Sequence, residues 1–199
     1  MNGAVNIAVF SDTHGNRQAI EEAVLFSVER YGIGRVVHLG DGVGDGEAAA
    51  ERFGIPFDGV AGNEDFSAAF PDHRVIEEGM WRILCFHGHQ YDINPYQSDG
   101  EWESHYADMG RWAERAGASV ALFGHTHRQA LLKRGGLIFC NPGDMYRGSV
   151  GPPGFALLQV PGAAVTVTLM ERQGEMSWAA LREESLVFSE TAPVRAERE

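Results

Sequence analysis

The chain has 199 residues, 44% of them hydrophobic, which is enough to bury one substantial core and predicts one domain. Its formal net charge of -12 at pH 7 argues against a broad nucleic-acid-binding surface, because such surfaces need clustered lysine and arginine side chains. The longest apolar runs fall far short of the roughly 20 residues that span a bilayer, so we expect no transmembrane segment and no membrane partner.

The opening residues, MNGAVNIAVFSD, lack the basic region of a secretory signal and lead at once into an apolar run. We therefore expect a cytoplasmic protein. The two cysteines, Cys85 and Cys140, each lie in a hydrophobic run, which is typical of buried, reduced thiols.

In chain order, the first half alternates predicted strands with predicted helices. The apolar run 5–10 is followed by NRQAIEEAVLFSVERYG, which places apolar side chains on one helical face and ends at Gly32. A second helix is predicted over 46–53. A third covers about 101–116, behind a capping box formed by Ser98 and Glu101, and its aromatic stripe indicates core packing.

Short β-branched and apolar runs predict the strands. After 5–10 they cover 36–39, 59–61, 83–86, 120–123, 137–140, 155–160 and 165–170. The early alternation of strand and helix favours an α/β fold with parallel pairing, whereas the later strands, joined by short turns, favour antiparallel hairpins. We expect the domain to span 1–182 and a charged, proline-interrupted tail to span 183–199.

Polar segments follow five of these strands, namely SDTHG, GDGVGD, GNED, HGH and GHTH. Each could have an ordinary structural role: Asp12 could cap a helix, Asp41 and Asn63 could be turn residues, and His87 could be a loop histidine. Turn chemistry does not require histidine at three of these positions, however. Because ligands gather at the carboxyl ends of strands in α/β proteins, the combination predicts one metal centre.

The candidate metal ligands are Asp12, His14, Asp41, Asn63, His87, His125 and His127. Mixed oxygen and nitrogen donors suit Mn, Fe, Zn or Ni better than Mg or Ca. This set is larger than one ion needs. Two ions about 3.5 to 4 Å apart that share one carboxylate would use all of it and could clamp the attacking and leaving oxygens of a displacement at phosphorus.

These ordered motifs, followed by NPGD, resemble those of the calcineurin-like metallophosphoesterase superfamily, in particular its small single-domain bacterial and archaeal phosphodiesterases. The resemblance spans about 7–148. It implies an α/β/β/α sandwich of two packed mixed β-sheets flanked by helices. It also implies two divalent transition-metal ions, with manganese favoured over nickel, zinc and iron, and a hydroxide between them that attacks a phosphodiester or an activated phosphomonoester.

The resemblance also divides the ligands between the ions. It implies one ion held by Asp12, His14, Asp41 and His127, and a second held by Asp41, Asn63, His87 and His125. Asp41 would bridge them.

One motif departs from the family pattern. Many relatives have a histidine after the asparagine of GNED that protonates the leaving group, whereas here Asn63 precedes Glu64 and Asp65. We interpret Glu64 as a solvated loop acid. His89, two residues after His87, is the catalytic candidate that could take over the acid role, although it could instead satisfy a carbonyl group.

Further candidates concern the substrate. Asn16 and Arg147 are the candidate substrate-binding residues, since a guanidinium such as that of Arg147 can meet a phosphate oxygen. Arg17 is expected to be solvated. The loop 90–100 is expected to shape specificity.

The leading interpretation is a metal-dependent phosphoesterase that acts on a small phosphate ester. The alternative from another class is a non-catalytic protein-binding scaffold, because a retromer subunit of this fold has weakened metal chemistry; the complete ligand set argues against it. A nuclease is disfavoured by the acidic composition. Relatives often form dimers or tetramers, so a homo-oligomer stays open.

Overall fold

The computed structural model describes residues 5–66 and 69–188. In chain order the elements are β1 (Val5–Phe10), α1 (Arg17–Tyr31), β2 (Arg35–His38), α2 (Val43–Phe53), β3 (Phe57–Gly59), β4 (His73–Glu78), β5 (Trp81–Phe86), a 3₁₀ helix (His89–Tyr91), α3 (Asp99–Ala116), β6 (Val120–Leu122), β7 (Gln129–Arg134), β8 (Leu137–Pro142), β9 (Gly154–Val160), β10 (Ala164–Gly174) and β11 (Ser177–Val187).

The strands form two mixed sheets. The first has the order β11-β10-β9-β1-β2-β3, in which β1, β2 and β3 are parallel and β9, β10 and β11 are antiparallel to their neighbours. The second has the order β4-β5-β6-β8-β7, in which β5, β6 and β8 are parallel and the two edge strands are antiparallel. The predicted fold class, with parallel pairing early and hairpins late, is confirmed.

Alternating side chains of each strand serve two different cores. Ile7 and Val9 of β1 pack between the two sheets, whereas Ala8 and Phe10 pack under α1 and α2. In the second sheet, Cys85 faces the other sheet and Phe86 packs under α3. Because both faces of these strands are buried, their sequences read as continuous apolar runs. The resulting layers are helix, sheet, sheet and helix.

Local signals end α1 and cap α3 at the residues that the sequence predicts. Gly32 ends α1 with a φ of 59° and donates its N–H to the Val28 carbonyl. Ser98 and Glu101 form the expected capping box at the start of α3. The apolar stripe of α3 packs against the second sheet, as expected. Among the described residues, no helix has both the length and the hydropathy needed to cross a bilayer.

Both cysteines are buried and free, in agreement with the sequence. Burial raises the pKa of the Cys85 and Cys140 thiols, so both stay protonated at neutral pH. Neither lies among the predicted metal ligands.

Three strands are missing from the sequence prediction, and all three lie at sheet edges. They are β4, β7 and β11, whose sequences HRVIEE, QALLKR and SWAALREESLV carry charged residues. Edge strands tolerate such residues because one side of the strand faces solvent. The charged residues interrupt the pattern of apolar residues from which strands are predicted.

The predicted domain boundary at Arg182 is one consequence of that error. It falls inside β11, which pairs with β10 as far as Val187 and buries Leu186. Residues 183–187 therefore belong to the sheet and not to a tail; residues 189–199 lie outside the described residues.

Candidate metal centre

The loops after β1, β2, β5 and β6 bring predicted ligands from both sheets together. Within the described residues, candidate ligand atoms of three residues lie within 4.8 Å of one another in each of three groups, one of which joins His14 and Asp41 with Glu64. The other two groups form two ligand sets that share no residue. The first set is Asp12, His14 and His127; the second is Asp41, His87 and His125. Each set contains three of the four ligands that the resemblance implies for one ion; Asp41 is not part of the first set, nor Asn63 of the second.

In the first set, three atoms converge. His127 Nε2 lies 3.3 Å from Asp12 Oδ1 and 3.2 Å from His14 Nε2, and His14 Nε2 lies 4.0 Å from the same carboxylate oxygen. Asp12 is fully buried, whereas the two histidines are only partly buried. The arrangement places one anionic oxygen and two imidazole nitrogens around one point.

In the second set, His87 Nε2 lies 3.2 Å from Asp41 Oδ2. The rings of His87 and His125 have centroids 5.1 Å apart. His87 and Asp41 are both buried. The second set therefore offers the same mixture of donors as the first.

Unpartnered buried atoms test whether a cation fits here. Asp12 Oδ1 and His87 Nε2 are buried and make no hydrogen bond in the described part of the chain, although each faces another member of the ligand sets, His127 Nε2 at 3.3 Å and Asp41 Oδ2 at 3.2 Å. A buried polar atom without a partner is costly, and both atoms point into the ligand sets. Burial also raises the pKa of Asp12, an effect that a bound cation would oppose. Mixed oxygen and nitrogen donors suit a divalent transition-metal ion.

Outer partners orient two of the imidazoles. His87 Nδ1 lies 2.8 Å from the Leu39 carbonyl oxygen, and His127 Nδ1 lies 2.6 Å from Asp144 Oδ2. An acceptor at Nδ1 favours the proton on that nitrogen and leaves the Nε2 lone pair free for a ligand bond. In both residues Nε2 faces the ligand set.

The backbone of the site is unusual as well. Asp12, His14, Asp41, His125 and His127 have φ values of 52°, 43°, 54°, 70° and 55°. The left-handed region costs residues with a Cβ roughly 1–2 kcal/mol each, so the surrounding loops must impose it. These five are all predicted ligands, which links the unfavourable backbone geometry to the position of their side chains.

Acidic residues that sequence reasoning missed hold these loops in place. Asp65 accepts the backbone N–H groups of Asp41, Val43 and Gly62 at 2.7, 3.1 and 2.9 Å, and so ties the loop after β2 to the loop after β3. Asp45 accepts from Thr13 Oγ1 and the Gly15 N–H, both at 2.8 Å. Each acid, like Asp144, lies inside a motif that the sequence singles out, but the motif alone does not show which groups the acid binds.

Asn63 lies in the turn that contacts Asp41, and His89 lies beside the second set. Asn63 is exposed in the turn after β3, next to Glu64, whose N–H donates to Asp41 Oδ1 at 2.8 Å. The ring centroid of His89 lies 5.5 Å from that of His87 and 6.4 Å from that of His125. Its Nδ1 is buried without a hydrogen-bond partner among the described residues. His89 thus borders the second set, as its position in HGHQ predicts.

The two substrate-binding candidates contact each other. Asn16 is buried, donates to the Met145 carbonyl at 2.6 Å and accepts from Arg147 Nε at 3.2 Å. Both polar ends of the Asn16 side chain are therefore engaged within the chain, whereas Arg147 is exposed. Arg17, expected to be solvated, is exposed but also forms an ion pair with Asp45 at 3.1 Å.

A cavity of about 750 Å³ opens beside His125 and His127. Pro95 and Tyr96, from the loop that we expected to shape specificity, form part of its wall, together with Arg128. Arg128 stacks over Tyr96 at 5.5 Å and donates to the Pro95 carbonyl at 2.9 Å. This loop is thus in position to contact a molecule bound at the ligand sets.

The fold and the paired ligand sets are typical of metal-dependent phosphoesterases. The family model of the calcineurin-like phosphoesterase superfamily domain matches residues 5–162. The chain belongs to this superfamily, which confirms the resemblance seen in the motifs.

Individual relatives agree with that assignment. The chain is 27% identical over 173 residues to the probable metallophosphoesterase YsnB of Bacillus subtilis (strain 168), covering 85% of this chain and 93% of the relative. A Streptococcus pneumoniae TIGR4 protein described as a predicted phosphoesterase is 25% identical, with a TM-score of 0.68 over 94% of this chain and 100% of that one.

Vacuolar protein sorting 29 from Cryptosporidium parvum shares the fold, with a TM-score of 0.70 and 18% identity over 94% of this chain and 100% of its own.

Proposed function

We propose that this protein hydrolyses phosphodiesters, or phosphomonoesters with activated leaving groups, in a small substrate. Family membership supports phosphoesterase activity in general. The observation that carries the finer proposal is the pair of adjacent ligand sets, each with a buried carboxylate and two imidazoles. Two bound divalent ions would supply activation of water for attack at phosphorus and neutralisation of the phosphate charge. We propose manganese as the preferred ion, with nickel, zinc and iron as alternatives.

The side chains of the protein would bind the two ions and orient the substrate. Asp12, His14 and His127 would hold one ion, and Asn63, His87 and His125 the other, with Asp41 shared. Arg128 lines the cavity beside His125 and His127, and Arg147 follows Tyr146, whose ring contacts His14 and His127. Both arginines are exposed and would orient phosphate oxygens. Tyr96 and Pro95 would contact the ester group that leaves.

The experiment that tests this function is a hydrolysis screen. Metal-free protein is loaded separately with Mn²⁺, Ni²⁺, Zn²⁺ or Mg²⁺ and assayed on a library of phosphodiesters and phosphomonoesters, with chelator-treated protein as the control. We expect metal-dependent release of product from at least one ester class. Absence of hydrolysis with every ion, in a protein that binds two ion equivalents, would favour the scaffold alternative.

The motif GNED predicts which class of phosphate ester is hydrolysed faster. Without a histidine after Asn63, the leaving group receives less help from a general acid, which is typically worth about 10² to 10⁴ in rate. We expect aryl phosphodiesters to be hydrolysed with a higher kcat/KM than simple alkyl monoesters. Steady-state kinetics on a matched pair of esters checks this, and a preference for the alkyl monoester would contradict it.

His89→Ala is expected to lower kcat by about 10-fold or more while both ions and the fold are kept. Burial lowers the pKa of His89, and the neighbouring His87 lowers it further, so the imidazole is neutral at pH 7 and suited to hydrogen-bond a phosphate oxygen. The matched control is His105→Ala on α3.

Kinetics on a series of aryl diesters separates two roles for His89. A loss in rate that is the same for every leaving group indicates the hydrogen-bonding role, whereas a loss that grows as the leaving group becomes more basic indicates proton donation. Full activity on every ester would show that His89 has a structural role only.

A further inference from the structure

Glu64 makes two contacts that an exposed loop acid would not be expected to make. Its carboxylate Oε2 lies 3.1 Å from His14 Nδ1, and its backbone N–H donates to Asp41 Oδ1 at 2.8 Å. His14 belongs to the first ligand set, whereas Asp41 belongs to the second. One residue therefore connects the two sets, although its own side chain is 62% exposed.

The turn that carries Glu64 is held in place by its neighbour. Asp65 accepts the N–H groups of Gly62 at 2.9 Å and of Asp41 at 2.7 Å. This clamp fixes the backbone on either side of Glu64 relative to the loop after β2. The Glu64 carboxylate therefore reaches His14 from a turn whose backbone is held by hydrogen bonds, although the Glu64 side chain is largely exposed to solvent.

The orientation of the His14 ring shows which of its two nitrogens faces Glu64. His14 Nε2 lies 3.2 Å from His127 Nε2 and 4.0 Å from Asp12 Oδ1, so this nitrogen faces the first ligand set. Nδ1 faces the opposite way, toward Glu64. An ionised carboxylate can only accept a hydrogen bond, so the His14–Glu64 contact requires a proton on Nδ1. The lone pair is then on Nε2.

One other neighbour competes for the ring proton, because His127 Nε2 lies 3.2 Å from His14 Nε2 and could accept a hydrogen bond from it. His14 contacts the rings of His127 and Tyr146, with centroids 5.0 and 5.1 Å away. Ring packing limits the tilt of an imidazole but has no preference between its two nitrogens. The backbone of His14 is in the left-handed region, with a φ of 43°. Because a carboxylate is a stronger acceptor than a neutral imidazole nitrogen, the contact with Glu64 favours the proton on Nδ1 over the competing contact with His127.

We propose that Glu64 is a positioning residue that holds the His14 imidazole with its proton on Nδ1 and with Nε2 turned toward the first ion site. For His14 it has the part that Asp144 has for His127 and the Leu39 carbonyl has for His87. The inference rests on the proposed function only in that His14 binds an ion; the tautomer is a property of the metal-free protein. It assigns a structural role to the acid that stands where many relatives have a histidine.

Two measurements on Glu64→Ala and Glu64→Gln test the proposal. Long-range ¹H–¹⁵N NMR of metal-free protein reports which nitrogen of His14 carries the proton, with the resonance assigned by loss in His14→Asn. Calorimetric titration with Mn²⁺ reports affinity and stoichiometry. We expect Glu64→Ala to lose the single Nδ1–H tautomer and to bind the first ion about 10-fold more weakly, the scale typical for removal of such an outer partner.

Glu64→Gln distinguishes positioning from direct ligation. The amide oxygen of glutamine can still accept from Nδ1, so we expect this variant to keep the tautomer and an affinity close to that of the unmodified chain. Glu47→Ala, which removes an exposed glutamate of α2, is the matched control and should change neither measurement.

Two outcomes would overturn the proposal. An unchanged His14 tautomer in Glu64→Ala would show that other contacts position the ring. An equal loss of Mn²⁺ affinity in Glu64→Gln and Glu64→Ala, with the tautomer kept in both, would make Glu64 a direct ligand. Neither measurement uses hydrolysis, so a protein that hydrolyses no ester can still support the role of Glu64, and an active phosphoesterase can still contradict it.

Discussion

Asp41→Asn is expected to remove at least one ion equivalent and to lower kcat on the order of 10³-fold, the scale of losing a major electrostatic contributor to a transition state. Asp41 is 3% exposed, and Oδ2 lies 3.2 Å from His87 Nε2, while Oδ1 accepts the Glu64 N–H. Asparagine can keep the second contact through its amide oxygen. The uncharged amide cannot act as a carboxylate shared by two cations.

Unfolding is not expected to account for that loss. The φ of Asp41 is 54°, and asparagine tolerates this left-handed region well. Asp92→Asn is a matched control, because Asp92 is exposed and has a φ of 51°. Elemental analysis and thermal unfolding of both variants check the prediction. Retention of both ions in Asp41→Asn at the occupancy of the unmodified chain would refute the bridging role.

The sequence predicts the parts of the fold in which one physical effect dominates. β1 has the predicted bounds, since its run of apolar residues is buried on both faces, and α3 has the predicted cap, since Ser98 and Glu101 act within one turn. The start of α2 lies three residues before the predicted start at Gly46, because glycines near the helix start weaken the helical signal. β11 is hidden because its exposed face is charged.

Some residues of the candidate site can be predicted from the sequence, whereas others cannot. His87 and His125 could be identified because turns and helix caps do not require an imidazole, so histidines that follow consecutive strands indicate metal binding. Asp65 could not, because an acid in a turn is common, and its role depends on N–H groups of a loop more than 20 residues earlier in the chain, at Asp41 and Gly42. For the same reason the sequence favours a solvated loop acid at Glu64. Its contact with His14 depends on how the loops after β1 and β3 meet, which the local pattern does not encode.

The approach of two loops makes Gly62 a position at which one substitution is expected to lower both stability and activity. A Cβ at Gly62 would lie 2.2 Å from Asp41 Oδ1 and 2.4 Å from the Asp41 backbone nitrogen. A backbone atom cannot rotate away, and Asp65 ties both loops together. Gly62→Ala must therefore separate the loops after β2 and β3 and displace the Asp41 carboxylate from the ligand sets.

Gly62→Ala is expected to lower the free energy of unfolding by about 1–3 kcal/mol, as for other overpacked sites. It should also lower kcat by about 10²-fold, since a shift of roughly 1 Å in a catalytic geometry has that effect. Gly44→Ala in α2, where a Cβ meets no atom within 4 Å, should stabilise the chain by up to about 1 kcal/mol and keep full activity. Urea unfolding of the metal-free proteins, together with kinetics on an aryl diester after Mn²⁺ loading, measures both effects. If Gly62→Ala unfolds at the same urea concentration as the unmodified chain and retains its activity, the two loops can separate freely and do not determine the position of Asp41.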